Sequence, residues 1–526
     1  MLNWLSAFLP ANLVLLNVLH SEPPFHSNQA PLHAHHRVEI PLGDPAGHPN
    51  TAVRFELTAN RTTFASVCAR AADVASSGYV HLTNNRGEED KHMFWWLFEA
   101  RHDPENAPIV LSFGGGPGGS GQLFPFSGAG PCQVHLNDDG TVEAVPSPYS
   151  WTEHVNLLAI DHPVGVGFSY GNPSSLRNSS ERAAWDVDDF LQAFWRAYPH
   201  LAKNQFMISS GSYGGTYLPH IVNTIHQRNQ AALRLTSSEA RAHTRILKAP
   251  SEVMMVNGWS DIQTHVRWFY ESNCHSPTAS PPPEPAEGSD ANTFFNATVC
   301  ADILHAVPPC LDAIQLAYEQ PVRANRYAAL EACVGILDWG RSDKNPYDAR
   351  EECPGGCPID LGYLDTFMNS EVIRNITGVP KSVRFKALEL DTVGLPFILN
   401  GDHVQPAYRL LAPAIEDGLR VLNYNGMMDG TCPWRSTLAW MKLLKTKHQP
   451  AFQRAAEVAY PGVGTIRTVG ASQQSTAAGD EGGRGRGRAG DYALVKVREA
   501  GHMVILSQPA LVRHMMKRWL DDEAFF

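Results

Sequence analysis

Positive charge is in short supply in this chain. Its 526 residues carry 42 Lys and Arg against 53 Asp and Glu, a formal net charge of −11 at pH 7. A surface of that sign offers no footprint for nucleic acid, whose phosphates demand a basic face. Long apolar runs are missing too. The N-terminal stretch MLNWLSAFLPANLVLLNVLHSEPP is apolar over residues 4–19 apart from Ser6, Asn12 and Asn17, and Pro10 interrupts it. A membrane-spanning helix needs about 20 apolar residues, so stable membrane insertion is not expected. The stretch reads as the apolar region of a secretory signal over residues 1–21, although no Lys or Arg precedes Arg37 and no A-x-A site follows. Paired metal ligands are also lacking. CPGGC at 353–357 is C-x3-C with no second close Cys or His pair, so no zinc site is expected. There is no internal repeat.

What is present is a folded, globular composition, 43% hydrophobic and 18% charged. Nine cysteines occur, at 68, 132, 274, 300, 310, 333, 353, 357 and 432, and six of them fall within 274–357. Such crowding suits local disulfides in an oxidising compartment, secreted or vacuolar/lysosomal. Four N-x-S/T acceptors, Asn60, Asn178, Asn296 and Asn375, fit the same setting. His33, His35 and His36 close a Pro- and His-rich lead-in, residues 22–37, that is expected to be unstructured and solvated.

From residue 38 onward short apolar runs alternate with helical patterns. PIVLSF (108–113), VNLLAID (155–161), QFMIS (205–209), EVMMVNG (252–258), LRVLNYNG (419–426) and YALVKV (492–497) read as buried strands ending in turn residues. Residues 183–199 between two of them read as an amphipathic helix with Trp185, Phe190, Phe194 and Trp195 on one face. This alternation predicts an α/β fold with a mostly parallel sheet covered on both sides. Two stretches break the pattern. Residues 276–290 (SPTASPPPEPAEGSD) are too rich in proline for a helix or central strand, and they open the Cys-rich block. Residues 262–385 are therefore expected to form an inserted, helical, disulfide-stapled cap. Residues 471–491, with their Arg-Gly alternation, read as a low-complexity surface excursion.

The chemistry is suggested by ISSGSYGG at 208–215. A nucleophile elbow places Ser on a sharp strand-to-helix turn, with small residues two before and two after it, usually as G-x-S-x-G. Here the pattern is S-G-S-Y-G, with Ser210 in the first position, and Tyr217, Ile221 and Ile225 repeat along the following helix. Ser212 alone could be an ordinary loop serine. Partners in the expected order, serine then acid then histidine, strengthen the reading. Asp429 follows LRVLNYNG and His502 follows YALVKV. His502 would take the Ser212 proton while Asp429 orients the imidazole. The loop SFGGGPGGSG (112–121) lets backbone N–H groups approach a ligand. Gly116 N–H and Tyr213 N–H are the expected oxyanion donors. The loop lacks the G-K-[ST] ending of a phosphate-binding loop. No cofactor is required.

These residues resemble the serine carboxypeptidases, α/β hydrolases that remove C-terminal residues. NLLAIDHPVGVGFSY (156–170), GGPG (115–118), SYGGTYLP (212–219), NGWSD (257–261), YNGMMDGTC (424–432) and GHMV (501–504) fall in the family's order and spacing. The resemblance implies an α/β-hydrolase core of 38–261 and 386–526 around the cap. It places Cys432 where some members hold an unpaired Cys beside the pocket, and the pairing of the other eight stays open. Departures accompany the matches. The family holds the substrate's C-terminal carboxylate with an Asn before GGPG, a Glu before the nucleophile and a further Glu, helped by a backbone N–H of the loop at Gly115. The three side-chain positions are Gly114, Gly211 and Gly128 here, His162 stands where the family has Gln, and Gly119 replaces the Cys after GGPG. A charged hydrogen bond contributes about 1.5–3 kcal/mol, and about 1.4 kcal/mol is tenfold in affinity. Preference for a free C-terminal acid should shrink accordingly. With both Glu gone, the acid limb of the pH profile is expected to follow the histidine base, a group that ordinarily titrates near pH 6.5. Three functions follow, in order: a carboxypeptidase acting through an acyl-enzyme on Ser212, an esterase or acyltransferase on small esters, and a non-catalytic binding protein, which the complete Ser–Asp–His set disfavours. The oligomeric state is not readable.

Overall fold

A computed structural model describes residues 36–40, 53–68, 73–84, 89–234, 245–274, 293–354, 357, 360–471 and 487–526. The expected signal (1–21), the proline-rich stretch 276–290 and most of the excursion 471–491 lie outside them. So does the lead-in up to residue 35, whereas His36 and Arg37 belong to a strand.

Among the described residues thirteen strands form one sheet. One edge is antiparallel: β1 (His36–Ile40), β2 (Val53–Thr63), β3 (Val74–Asn84) and β4 (Asp90–Phe98). The parallel centre, in spatial order, is β8 (Asn156–Ile160), β5 (Ile109–Ser112), β10 (Phe206–Ser212), β11 (Glu252–Gly258), β14 (Arg420–Gly426) and β17 (Tyr492–Val497). Antiparallel β16 (Gly464–Val469) and β15 (Val458–Tyr460) close the far edge. The short strand β9 (Tyr170–Gly171) pairs with β4. A hairpin of β6 (Cys132–Leu136) and β7 (Val142–Pro146) and another of β12 (Lys344–Asn345) and β13 (Asp348–Glu352) stand outside the sheet.

The six apolar runs of the sequence become the parallel strands because both of their faces are covered. Along β5, Ile109 and Leu111 enter one core cluster while Val110 enters the other. In β11, Val253 and Met255 alternate with Met254 in the same way. The first cluster is roofed by α1 (Ser180–Ala197) and α2 (Gly214–Leu233), the second by the C-terminal helix Pro509–Leu520. A strand buried on both faces reads as a continuous apolar run.

Residues 262–385, expected to form one inserted cap, divide between two sites of packing. Helices α3 (Ile262–Asn273), α4 (Ala297–Glu319) and α5 (Arg323–Cys333) build a separate cluster with Trp339, which Ile398, Val404 and Met428 of the core join. Helices α6 (Gly362–Met368) and α7 (Glu371–Thr377) instead place Leu364, Met368 and Ile373 in the second core of the sheet. Disulfides Cys274–Cys300, Cys310–Cys333 and Cys353–Cys357 staple the insertion, and Cys68–Cys132 ties α/β core segments together. The C-x3-C motif is thus a disulfide. Helix α4 is long and apolar enough to cross a membrane by length and composition, yet Cys300, Ile303, Cys310 and Ile314 face the cap cluster. Of the glycosylation candidates, Asn178, Asn296 and Asn375 are exposed, and Asn296 caps α4 through Val299 N–H; Asn60 lies in β2.

The loop after β5 is fixed from below by Asp161, which is fully buried at the end of β8. Its carboxylate accepts from Ser120 Oγ (2.5 Å), Gly121 N–H (3.1 Å) and Phe168 N–H (2.8 Å). Burial pushes this carboxyl up to about 6, against the downward pull of those donors. A carboxyl whose pKa rises on folding contributes stability that is present below its unfolded value, near 4, and lost as pH rises through about 6. The size is about 2–3 kcal/mol, because each unit is 1.36 kcal/mol. Asp161→Asn should therefore flatten the pH 4–6 limb of a urea-denaturation series. An unchanged slope would mean that Asp161 titrates alike in folded and unfolded chains.

Candidate active site

Ser212 ends β10 and the helix α2 begins two residues later, at Gly214. Its backbone adopts φ 56°, left-handed and unusual for a residue with a side chain. Such a conformation costs of order 1–3 kcal/mol and persists only when neighbours impose it. The neighbours are close. Trp259 N–H donates to Ser212 O (2.8 Å), and the pairing of β10 with β11 shifts register between Gly211 and Ser212. A Cβ on Gly214 would lie 1.9 Å from Ser210 Oγ, and one on Gly215 would lie 2.6 Å from Trp259 N. Strand and helix can cross there only with glycine at both positions. Ser210 fits because its hydroxyl reaches sideways to Phe113 O (2.8 Å).

Asp429 and His502 follow β14 and β17, the second and third strands beyond β10. His502 Nδ1 and Asp429 Oδ2 are 2.7 Å apart, and the Asp429 side chain has no exposed surface. Asn257, at the end of β11, connects the two loops. It donates through Nδ2 to Gly501 O (3.1 Å) and His502 O (2.9 Å) and accepts Gly426 N–H (3.0 Å) through Oδ1. Its own φ is 43°. Ser212 Oγ is not hydrogen-bonded to the His502 ring in this structure. Such bonds are often long without substrate and tighten on binding.

The Gly-rich loop lies directly against Ser212. A Cβ on Gly115 would sit 2.8 Å from both Ser212 Cβ and Tyr213 N. Gly116 has φ 109°. Among the described residues neither Gly116 N–H nor Tyr213 N–H donates to another protein group. Two of the glycines expected in place of carboxylate-binding side chains stand where backbone has closed in. A Cβ on Gly114 would meet Gly119 O at 2.2 Å, and one on Gly211 would meet Val256 Cγ1 at 2.4 Å. At Gly128, φ 113°, such a Cβ would be in ordinary contact with the Gln133 and Ser147 side chains at 3.7–3.8 Å. Gly119 pairs with Leu388 in a β-bridge, flanked by Ser120 N–H to Ala387 O and Glu389 N–H to Gly118 O, both 2.8 Å. His162 is fully buried between Phe113 and Tyr217 with neither ring nitrogen hydrogen-bonded, and burial depresses it to about 3.

The sequence reading missed what the insertion brings. The β12–β13 hairpin docks on both loops: Pro346 O accepts Gly430 N–H (3.1 Å) and Thr431 N–H (3.2 Å), and Tyr347 O accepts His502 N–H (2.7 Å). The Tyr347 ring meets the His502 ring edge-on, with centroids 5.1 Å apart. Nothing in the local sequence around Tyr347 announces this, because the contact joins segments that fold separately. Asp429, Cys432 and His502 offer ligand atoms within 4.8 Å of one another. Burial, reinforced by the Asp429 carboxylate, holds the Cys432 thiol well above its ordinary range, which opposes the thiolate that a metal would need.

A mostly parallel sheet with serine, acid and histidine on loops at the carboxyl ends of its strands defines an α/β hydrolase. The family model of the serine carboxypeptidases (peptidase S10) matches residues 70–522, and the chain belongs to that family of serine hydrolases. It is 29% identical over 454 residues to carboxypeptidase Y of Komagataella phaffii, covering 86% of this chain and 76% of that protein. It is 28% identical to a carboxypeptidase Y homolog A of Coccidioides posadasii, with coverage of 83% and 73%. In fold it is similar to Kex1(Δ)p, a prohormone-processing carboxypeptidase from Saccharomyces cerevisiae. That match has a TM-score of 0.62 at 17% identity and covers 92% of this chain and 95% of the other.

Asn257 makes three hydrogen bonds and is 1% exposed. Asn257→Ala leaves two buried carbonyls and an amide without their partner and is expected to cost about 2–4 kcal/mol. Chemical denaturation measures this; a loss below about 1 kcal/mol would mean that water replaces the side chain.

Proposed function

We propose that the protein releases C-terminal residues from peptides through an acyl-enzyme on Ser212. The hydroxyl attacks the scissile carbonyl carbon while His502 Nε2 takes its proton. The carbon–nitrogen bond then breaks, and the imidazolium returns that proton to the leaving amine. Water, deprotonated by the same imidazole, attacks the acyl carbon and frees Ser212. Asp429, bonded to His502 Nδ1 at 2.7 Å, keeps the ring in the tautomer with Nε2 unprotonated. Gly116 N–H and Tyr213 N–H would hold the oxyanion. The observation that carries this reading is the strained Ser212, φ 56°, on the same sheet end as a buried Asp–His pair. Peptide substrates suit the family, and the four disulfides suit the secretory pathway.

A second reading, esterase or acyltransferase chemistry on small esters, draws support from one observation. At Gly114 the Gly119 carbonyl, and at Gly211 the side chain and carbonyl of Val256, lie where an anchoring side chain would begin. With those anchors gone, a free carboxylate contributes little to binding, and an ester serves as well.

The test pairs the wild type with Ser212→Ala on a blocked dipeptide acid and its methyl ester, from pH 4 to 8. The carboxypeptidase reading expects turnover of the acid, preferred over the ester. It also expects a loss of about 10⁴-fold or more in the Ala variant. Equal or faster turnover of the ester, lost in the variant, selects the second reading. Activity that survives Ser212→Ala overturns both.

A further inference from the structure

Asp429 is a buried carboxylate, and its hydrogen-bond partners deserve to be counted. Oδ2 faces His502 Nδ1 at 2.7 Å. Among the described residues Oδ1 is served by one residue, Thr431, through its amide (2.9 Å) and its hydroxyl (2.7 Å). The amide is shared, since the same N–H also points at Pro346 O (3.2 Å). The Thr431 hydroxyl is the shorter of the two contacts to Oδ1. Its oxygen also lies 3.2 Å from His502 Nδ1, where it accepts a minor share of the N–H whose main acceptor is Asp429. A threonine hydroxyl has one proton to give and two lone pairs to receive with. Both uses are taken, and the three side chains close into a ring.

From this arrangement we infer that Thr431 is a positioning residue for the reaction, one that holds the Asp429 carboxylate and the His502 ring in register. The inference rests on the triad reading above. The hydroxyl keeps its proton on the Asp429 side, so the carboxylate stays an anion when His502 becomes an imidazolium. Without that donor the carboxylate is free to rotate about its last bond and to shift from His502. The ground-state complex is little changed, because Thr431 acts through Asp429. The loss should fall on kcat.

The experiment compares Thr431→Val, which matches the shape without the hydroxyl, with Thr431→Ser, which restores it, on whichever dipeptide substrate the wild type turns over. Thr431→Val is expected to lower kcat about 10- to 100-fold, the span of one charged hydrogen bond, with KM within about threefold. Thr431→Ser should recover most of kcat, and the low-field proton resonance of His502 Nδ1–H should shift or broaden in the Val variant only. Equal kcat in Val and wild type, or a Ser variant as slow as Val, overturns the inference. Thr431→Ala serves in place of Val if Val lacks the wild-type near-ultraviolet circular dichroism. Ser212→Ala and His502→Ala run beside them. If those two are inactive and Thr431→Val is not impaired, the positioning role alone fails. If they retain activity, the triad reading fails first.

Discussion

A carboxylate with no access to water organises the end of the sheet where the candidate site lies. Asp161 receives one hydroxyl and two amides, and two of those three donors belong to the segment that leaves the Gly-rich loop. The loop can then run against Ser212 without any side chain between them. The neighbouring turn is shaped by the same need, since Gly167 has φ 58° and a Cβ there would meet Asp161 Oδ2 at 2.2 Å. Remove this side chain and the loop loses its floor. The approach of the Gly-rich loop to Ser212 thus leans on a residue that touches neither Ser212 nor Gly116.

Strand positions were legible from the sequence for a simple reason. A parallel strand buried on both faces must be apolar throughout, and no other element of that length has the same requirement. Ser212, Asp429 and His502 stood out because each follows such a run directly. The packing of the insertion was less legible. Leu364 and Met368 sit four apart, as on any amphipathic helix, and Ile373 belongs to the next helix; such a pattern does not tell which surface receives it. Thr431 and Tyr347 were invisible for another reason. Their significance lies in hydrogen bonds and ring contacts between loops from distant parts of the chain, and no local periodicity encodes those.

The glycines that stand in for polar side chains have different structural meanings. At Gly128 an added Cβ would be in ordinary contact with Gln133 and Ser147, and the strain would come from its backbone, φ 113°. At Gly114 and Gly211 an added Cβ would clash outright. At those two positions it meets a carbonyl or a packed valine, and the sheet end would have to shift.

The hairpin of the insertion has a consequence for when the site comes into being. Residues 346 and 347 hold the backbone of the Asp429 and His502 loops, and β17, which precedes His502, is the last strand in chain order among the described residues. The elbow at Ser212 lies far ahead of both partners in the chain. Loop closure over more than half the chain must come before the serine has a base.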